Sequence, residues 1–149
     1  ETAHILSSVP PGETDPVLDA YRDTLAAGRA WLGYLSSTGV YGDVQGAWVD
    51  ESAPTGTGRR TARAAADAEW LALGARVFRL PGIYGPGRSP LDRVSEGKAH
   101  RIDLPGQVFS RIHVDDLAAG VIAGLAAPAG AYNLADDRPR TPVLARDHP

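Results

Sequence analysis

The apolar run Trp31-Leu32-Gly33-Tyr34-Leu35 stops abruptly at three hydroxyl residues, Ser36-Ser37-Thr38, and at a glycine-punctuated turn, Gly39-Val40-Tyr41-Gly42. A short apolar run bounded in this way reads as a buried strand of a parallel sheet. Such a sheet has helices packed against it, and ligands bind beyond the carboxyl ends of its strands. Ser36, Ser37 and Thr38 are therefore expected at the edge where chemistry takes place.

The rest of the chain supplies the other layers. His4 to Val9 reads as a short strand halted by Pro10-Pro11-Gly12. Asp15-Pro16 is a helix start, with Asp15 as N-cap and Pro16 at the first helical position. Val17, Leu18, Tyr21 and Leu25 then recur at helical spacing up to Gly28, expected as the residue that closes the helix. A second helix is expected from about Arg60 to Leu73, ended by Gly74, and a third strand over Arg76 to Leu80, broken by Pro81-Gly82. Leu91 to Glu96 reads as a short helix, and Ala99 to Leu104 and Val108 to His113 as extended segments around Pro105-Gly106. Asp115 is the expected cap of a last helix, with Leu117, Val121, Ile122 and Leu125 on one face. A final strand covers Ala131 to Leu134, and the tail from Asp136 is polar and aperiodic. This order predicts an α/β fold with a parallel sheet joined by right-handed crossovers.

Composition narrows the function. At 149 residues the chain suits one ordinary domain. A net charge of −3 gives no electrostatic footprint for nucleic acid or an anionic membrane. No apolar stretch reaches the ~20 residues of a membrane span. With no cysteine, disulfide and thiolate chemistry are excluded, which fits a cytoplasmic protein. The absence of methionine means that Glu1 is not a translation start.

Several strand-end motifs together resemble the extended short-chain dehydrogenase/reductases, the NAD-dependent epimerase/dehydratase family. They are Ser8-Val9-Pro10-Pro11, then Ser36 to Gly42, then Arg79-Leu80-Pro81-Gly82-Ile83-Tyr84-Gly85-Pro86-Gly87. Arg111-Ile112-His113-Val114-Asp115-Asp116-Leu117-Ala118 and Tyr132-Asn133-Leu134 follow in the family's order. The resemblance implies the carboxyl-terminal part of a Rossmann-type doubly wound sheet with a small α+β substrate lobe. In domain terms, 1–149 would be a partial NAD(P)-binding domain with lobe segments around 83–134. It implies NAD or NADP as cofactor, with Ser8, Val9, Pro10, Pro81 and Gly82 beside it. Ser37, four residues before the Tyr of Val40-Tyr41-Gly42, would assist catalysis, with Thr38 sharing the role. The substrate would be a small molecule contacted by Arg88 or by Arg111, which is displaced by two positions from the family's diphosphate-binding arginine, where Phe109 stands. A homodimer is the candidate assembly.

Two departures stand against the matches, and the chain looks like an atypical bacterial branch. The family's dinucleotide cradle is a glycine-rich turn opening a helix. Neither Gly39-x-x-Gly42 nor Gly82-x-x-Gly85-x-Gly87 leads into an apolar helix, so the chain is expected to be the carboxyl-terminal part of a larger protein. The family also needs a Tyr and a Lys four residues later, since a phenol of pKa ~10 becomes a useful base only beside a cation. Here no tyrosine lies between Tyr41 and Tyr84, and the only lysine is Lys98, with Val94 four residues before it. Arg59, Arg60 and Arg63 occupy that region instead. They read as a solvated helix start or as guanidinium contacts to a phosphate or carboxylate, never as a base.

Tyr41 reads as a packing and hydrogen-bonding residue, and His113, Asp115 and Asp116 are not expected to hold a metal, because Asp115 is assigned to the helix cap. Two functions remain open on these residues. One is an oxidoreductase or epimerase/dehydratase-like enzyme acting on a hydroxyl or carbonyl of a small or sugar-nucleotide-like substrate. The other is a catalytically silent dinucleotide-binding sensor or interaction module.

Overall fold

The structure, a computed structural model, describes residues 3–58, 61–89, 92, 95–97 and 108–139. The expected helix over Leu91 to Glu96, the segment 99–104, Pro105-Gly106, Lys98, Arg59, Arg60 and the tail beyond 139 lie wholly or partly outside those residues. Four parallel strands form the main sheet: β1 (His4–Ser7), β2 (Trp31–Ser37), β3 (Arg76–Leu80) and β6 (Gly130–Asn133), in the order β1-β2-β3-β6. Two short parallel strands, β4 (Gly82–Tyr84) and β5 (Arg111–His113), make a separate small sheet continuing from the end of β3. The helices are α1 (Pro16–Ala27), α2 (Thr61–Ala72) and α3 (Val114–Gly124), and a 3₁₀ turn spans Thr38–Tyr41.

Strand alternation sorts the layers. Leu32, Tyr34 and Val77 share one core with Leu18 and Leu25 of α1 and Ala66 and Trp70 of α2. Their strand neighbours turn to the other face, where Phe78 abuts Gly124 and the Trp31 indole N–H donates to the Gly124 carbonyl at 3.2 Å. Helices α1 and α2 therefore cover one face of the sheet and α3 the other. A Cβ on Gly124 would fall 2.5 Å from the Phe78 ring, so only glycine lets α3 sit this close.

Local chemistry explains the elements. Asp15 caps α1 as expected: Oδ1 accepts from Val17 N and Leu18 N at 2.9 and 3.1 Å, with Pro16 opening the helix. Gly74, at φ 77°, follows α2 as expected.

Gly28 closes α1 as expected, in an extended conformation, φ −75° and ψ 166°, with its N–H on the Thr24 and Leu25 carbonyls. Two expectations need correction. The cap of α3 is His113, not Asp115; its Nδ1 accepts from Asp115 N at 3.3 Å. An unprotonated imidazole nitrogen is an acceptor, and it takes the capping place one step before the carboxylates. Nor do the four apolar residues of α3 share the buried face. Leu117 and Val121 are half-buried, but Ile122 is 67% exposed and Leu125 is exposed as well. The inward stripe includes Gly120 and Gly124, which receive Leu134 and Phe78.

Candidate functional site

All four strands of the main sheet run parallel, so their carboxyl ends gather at one edge. Ser37 ends β2 level with Leu80 of β3, and Pro81 follows directly. Gly82 opens β4 opposite Arg111 of β5. Ser37, Pro81, Gly82 and Arg111 thus lie along one stretch of this edge. Ser8, Val9 and Pro10 follow β1 and are exposed. The β1–β2 register brings Ser8 alongside Leu35, about two residues or ~7 Å short of Ser37. Arg88 lies farther out, exposed, in a turn closed by its N–H to the Gly85 carbonyl at 3.0 Å. Thr38 is half-buried at the start of the 3₁₀ turn.

The three hydroxyls at the end of β2 have separate fates. Ser36 is buried and donates to Asp67 Oδ2 at 2.6 Å, so it belongs to the interior. Ser37 caps the 3₁₀ turn: its Oγ accepts from Gly39 N at 3.1 Å. A hydroxyl can accept and donate at once, and the Ser37 proton has no acceptor among the described residues. Ser37 is half-buried, fixed by its own turn and still able to donate.

Beneath this edge lies a buried polar chain that sequence reading missed. Asp67 of α2 holds Arg79 of β3 through two bonds, Nη2 to Oδ1 at 2.8 Å and Nε to Oδ2 at 3.1 Å. The guanidinium donates onward from Nη1 to Tyr41 Oη at 2.9 Å and to the Glu51 carbonyl at 3.3 Å. Tyr41 donates to Asn133 Oδ1 at 2.7 Å, and Asn133 N–H donates to Glu51 Oε1 at 2.7 Å. Burial alone would lower the Arg79 pKa, but the Asp67 and Tyr41 hydrogen bonds and the Asp67 charge more than reverse that. The guanidinium stays charged. Tyr41 does meet a cation, supplied by Arg79 from 38 residues away, but its hydroxyl has both a donor and an acceptor and the residue is 3% exposed. It serves packing and hydrogen bonding, as expected.

Arg63 departs from the solvated helix start. It lies half-buried, donating from Nη1 to Tyr34 Oη at 3.0 Å and to the Leu35 carbonyl at 3.3 Å. Burial pushes the Tyr34 phenol above its ordinary value, and the charge and hydrogen bond of Arg63 offset this only in part. An unfolded phenol ionises near pH ~10. Above that pH the unfolded chain has released a proton that the fold retains, so this contribution is intact below pH ~10 and falls as pH rises beyond it. Tyr34→Phe should flatten that alkaline decline in urea unfolding measured from pH 8 to 11; an unchanged slope would contradict the assignment.

Both glycine patterns are unsuited to a phosphate. At Gly42, φ 73°, the space a Cβ would occupy is filled by Thr57 and Gly58. At Gly85 it is filled by Val114. The strand-end residues nevertheless fit the nicotinamide side of a dinucleotide. Ser37 can donate, the Ser8-Val9-Pro10 segment is open, and among the described residues two buried polar atoms near this edge, Ser7 Oγ and Asp136 Oδ1, lack a hydrogen-bond partner. Among the described residues no cluster of three or more His, Asp or Glu is placed to hold a metal, and no helix is long and apolar enough to cross a membrane.

No family model matches the chain. Protein YeeZ of Escherichia coli (strain K12) is 32% identical over 109 residues, covering 66% of this chain and 36% of that protein. A conserved protein of unknown function from Silicibacter pomeroyi DSS is 48% identical with a TM-score of 0.83, over 92% of this chain and 52% of that one. A protein from Methylobacillus flagellatus described as an NAD-dependent epimerase/dehydratase is 31% identical with a TM-score of 0.56, over 71% of this chain and 41% of that one. DesIV of Streptomyces venezuelae, a dTDP-glucose 4,6-dehydratase solved with NAD and TYD bound, has a TM-score of 0.72 over 93% of this chain and 53% of that one. At 18% identity that last likeness is one of fold. The chain spans about a third of the curated relative and about half of the solved chains.

Proposed function

The chain belongs to the NAD-dependent epimerase/dehydratase family, the extended short-chain dehydrogenase/reductases, and on that premise we propose that it bears the nicotinamide and substrate side of an NAD(P)-dependent oxidoreductase or epimerase/dehydratase-like protein. The substrate is a hydroxyl- or carbonyl-bearing small molecule, of the sugar-nucleotide type. The observation that carries this is Ser37. It is fixed at the carboxyl edge by its bond from Gly39 N, keeps its own proton free to donate, and lies level with the β3 end that runs into Pro81 and Gly82.

In this reading Ser8, Val9, Pro10, Pro81 and Gly82 bound the dinucleotide, whose nicotinamide accepts or supplies a hydride when bound. Ser37 donates to the substrate oxygen and orients it, with Thr38 beside it. Arg111, opposite Gly82, and Arg88 in the outer loop face the substrate's anionic part. Residues 83–134 contribute the substrate lobe, and the protein works as a homodimer in the cytoplasm.

A second reading, a dinucleotide-binding module without turnover, draws on one observation. The region where the family carries its Tyr–Lys pair holds Arg63, and that side chain is turned inward onto Tyr34. A screen of carbonyl reduction and sugar-nucleotide epimerisation with the natural full-length protein separates the two. Ser37→Ala should lower kcat by roughly 10²-fold or more, the scale of losing one positioned donor, while dinucleotide affinity changes little. Unchanged kcat would remove Ser37 from the mechanism. Dinucleotide binding with no turnover of any substrate would favour the silent module.

A further inference from the structure

Of the two buried atoms without a partner among the described residues, Asp136 Oδ1 is the more telling. A buried acceptor without a donor is destabilising, the more so if charged, so a fold keeps one where something else supplies the proton. Asp136 is not loose. Its backbone N–H donates to the Arg111 carbonyl at 2.8 Å, so the residue is pinned where β6 runs on past the carboxyl edge. On the other side of Arg111 lies Gly82, its register partner. Asp136, Arg111 and Gly82 therefore follow one another across this edge, each about one strand spacing, ~4.8 Å, from the next.

The chemistry of the missing partner follows from the atom. An ionised carboxylate only accepts hydrogen bonds, so the partner must carry a donor. A phosphate or carboxylate at that oxygen is repelled. A hydroxyl is suited to it, and the neighbouring Arg111 suits an anionic group of the same molecule.

We propose that Asp136 is a specificity-determining residue that accepts a hydrogen bond from a sugar hydroxyl of a substrate whose anionic part lies toward Arg111. This rests on the function proposed above and assigns it one further residue. It also explains why a buried carboxylate oxygen of this half-buried residue is left unpaired among the described residues.

Two readouts test it on the natural full-length protein, with wild type, Asp136→Ala and Asp136→Asn compared by thermal unfolding. The probes are UDP-glucose, UDP and NADH, each added separately. Without ligand, Asp136→Ala should melt no lower than wild type, because it removes an unpaired acceptor rather than a contact. UDP-glucose should raise the wild-type midpoint more than UDP does; Asp136→Ala should lose that extra shift while keeping the shift from UDP, and Asp136→Asn, whose amide oxygen still accepts, should retain part of it. A lower midpoint for Asp136→Ala with the UDP-glucose shift intact would make Asp136 structural and overturn the proposal. So would the lack of any added shift from UDP-glucose over UDP on the wild type. The NADH shift is independent of both: if it persists, the dinucleotide reading stands even where the Asp136 proposal fails.

Discussion

Asp67→Ala should destabilise the fold by ~3–5 kcal/mol, the usual cost of leaving one member of a buried ion pair without its partner. Asp67 is 1% exposed and Arg79 4%, so solvent cannot replace what is lost. The truncation removes both carboxylate bonds to Arg79 and the Ser36 acceptor together. The stranded guanidinium keeps only Tyr41 Oη and the Glu51 carbonyl. Against a typical domain stability of ~5–15 kcal/mol, such a loss brings many proteins close to unfolding. The double replacement Asp67→Leu with Arg79→Met should recover much of it, because the pair's own desolvation cost disappears with the charges. Urea unfolding of the three proteins decides the matter. A loss below about 1 kcal/mol for Asp67→Ala would mean that the pair is solvated and that the strand ends are held by something else.

Trp70→Ala should cost a similar ~3–5 kcal/mol, by a different route. Trp70 is fully buried, and its ring stacks on Tyr34 at 5.4 Å between centroids, 7° from parallel. Truncation opens a cavity between α2 and β2 at the centre of the larger core. The indole N–H also donates to Asp15 Oδ2 at 2.9 Å, which ties the cap of α1 to α2. Trp70→Phe separates the two contributions. It keeps most of the packing and gives up the bond to a carboxylate, for an expected ~1.5–3 kcal/mol. Chemical unfolding of both variants should rank Ala well below Phe. Equal losses would assign the whole effect to the hydrogen bond, contrary to the packing seen here.

The sequence made the sheet legible because its signals are local. The apolar run of β2, the Asp15-Pro16 helix start and the Pro81-Gly82 break each act within a few residues, and each holds in the structure. What it hid was long-range or geometric. Asp67, Arg79, Tyr41 and Asn133 are joined across separations of 12, 38 and 92 residues, so no motif joins them. The charged Arg79 in an apolar strand was the one visible trace, since a charge there requires a buried partner. Hydropathy placed Ile122 and Leu125 inward on α3, but glycines permit closer packing than any apolar side chain, and the helix turned Gly120 and Gly124 toward the sheet instead. At the site, the position of Ser37 was readable from the strand-end pattern. Its capping bond was not, nor was the inward turn of Arg63 onto Tyr34.

In the proposed function the carboxyl edge beside Ser37 and Gly82 serves a nicotinamide dinucleotide. Fluorescence titration of the natural full-length protein with NADH and with NADPH tests it most directly. Saturable binding of at least one, with enhanced nicotinamide emission that a substitution of Gly82 by a bulky residue reduces, is the predicted result. No saturable binding of either dinucleotide would contradict the claim and remove both functional readings together.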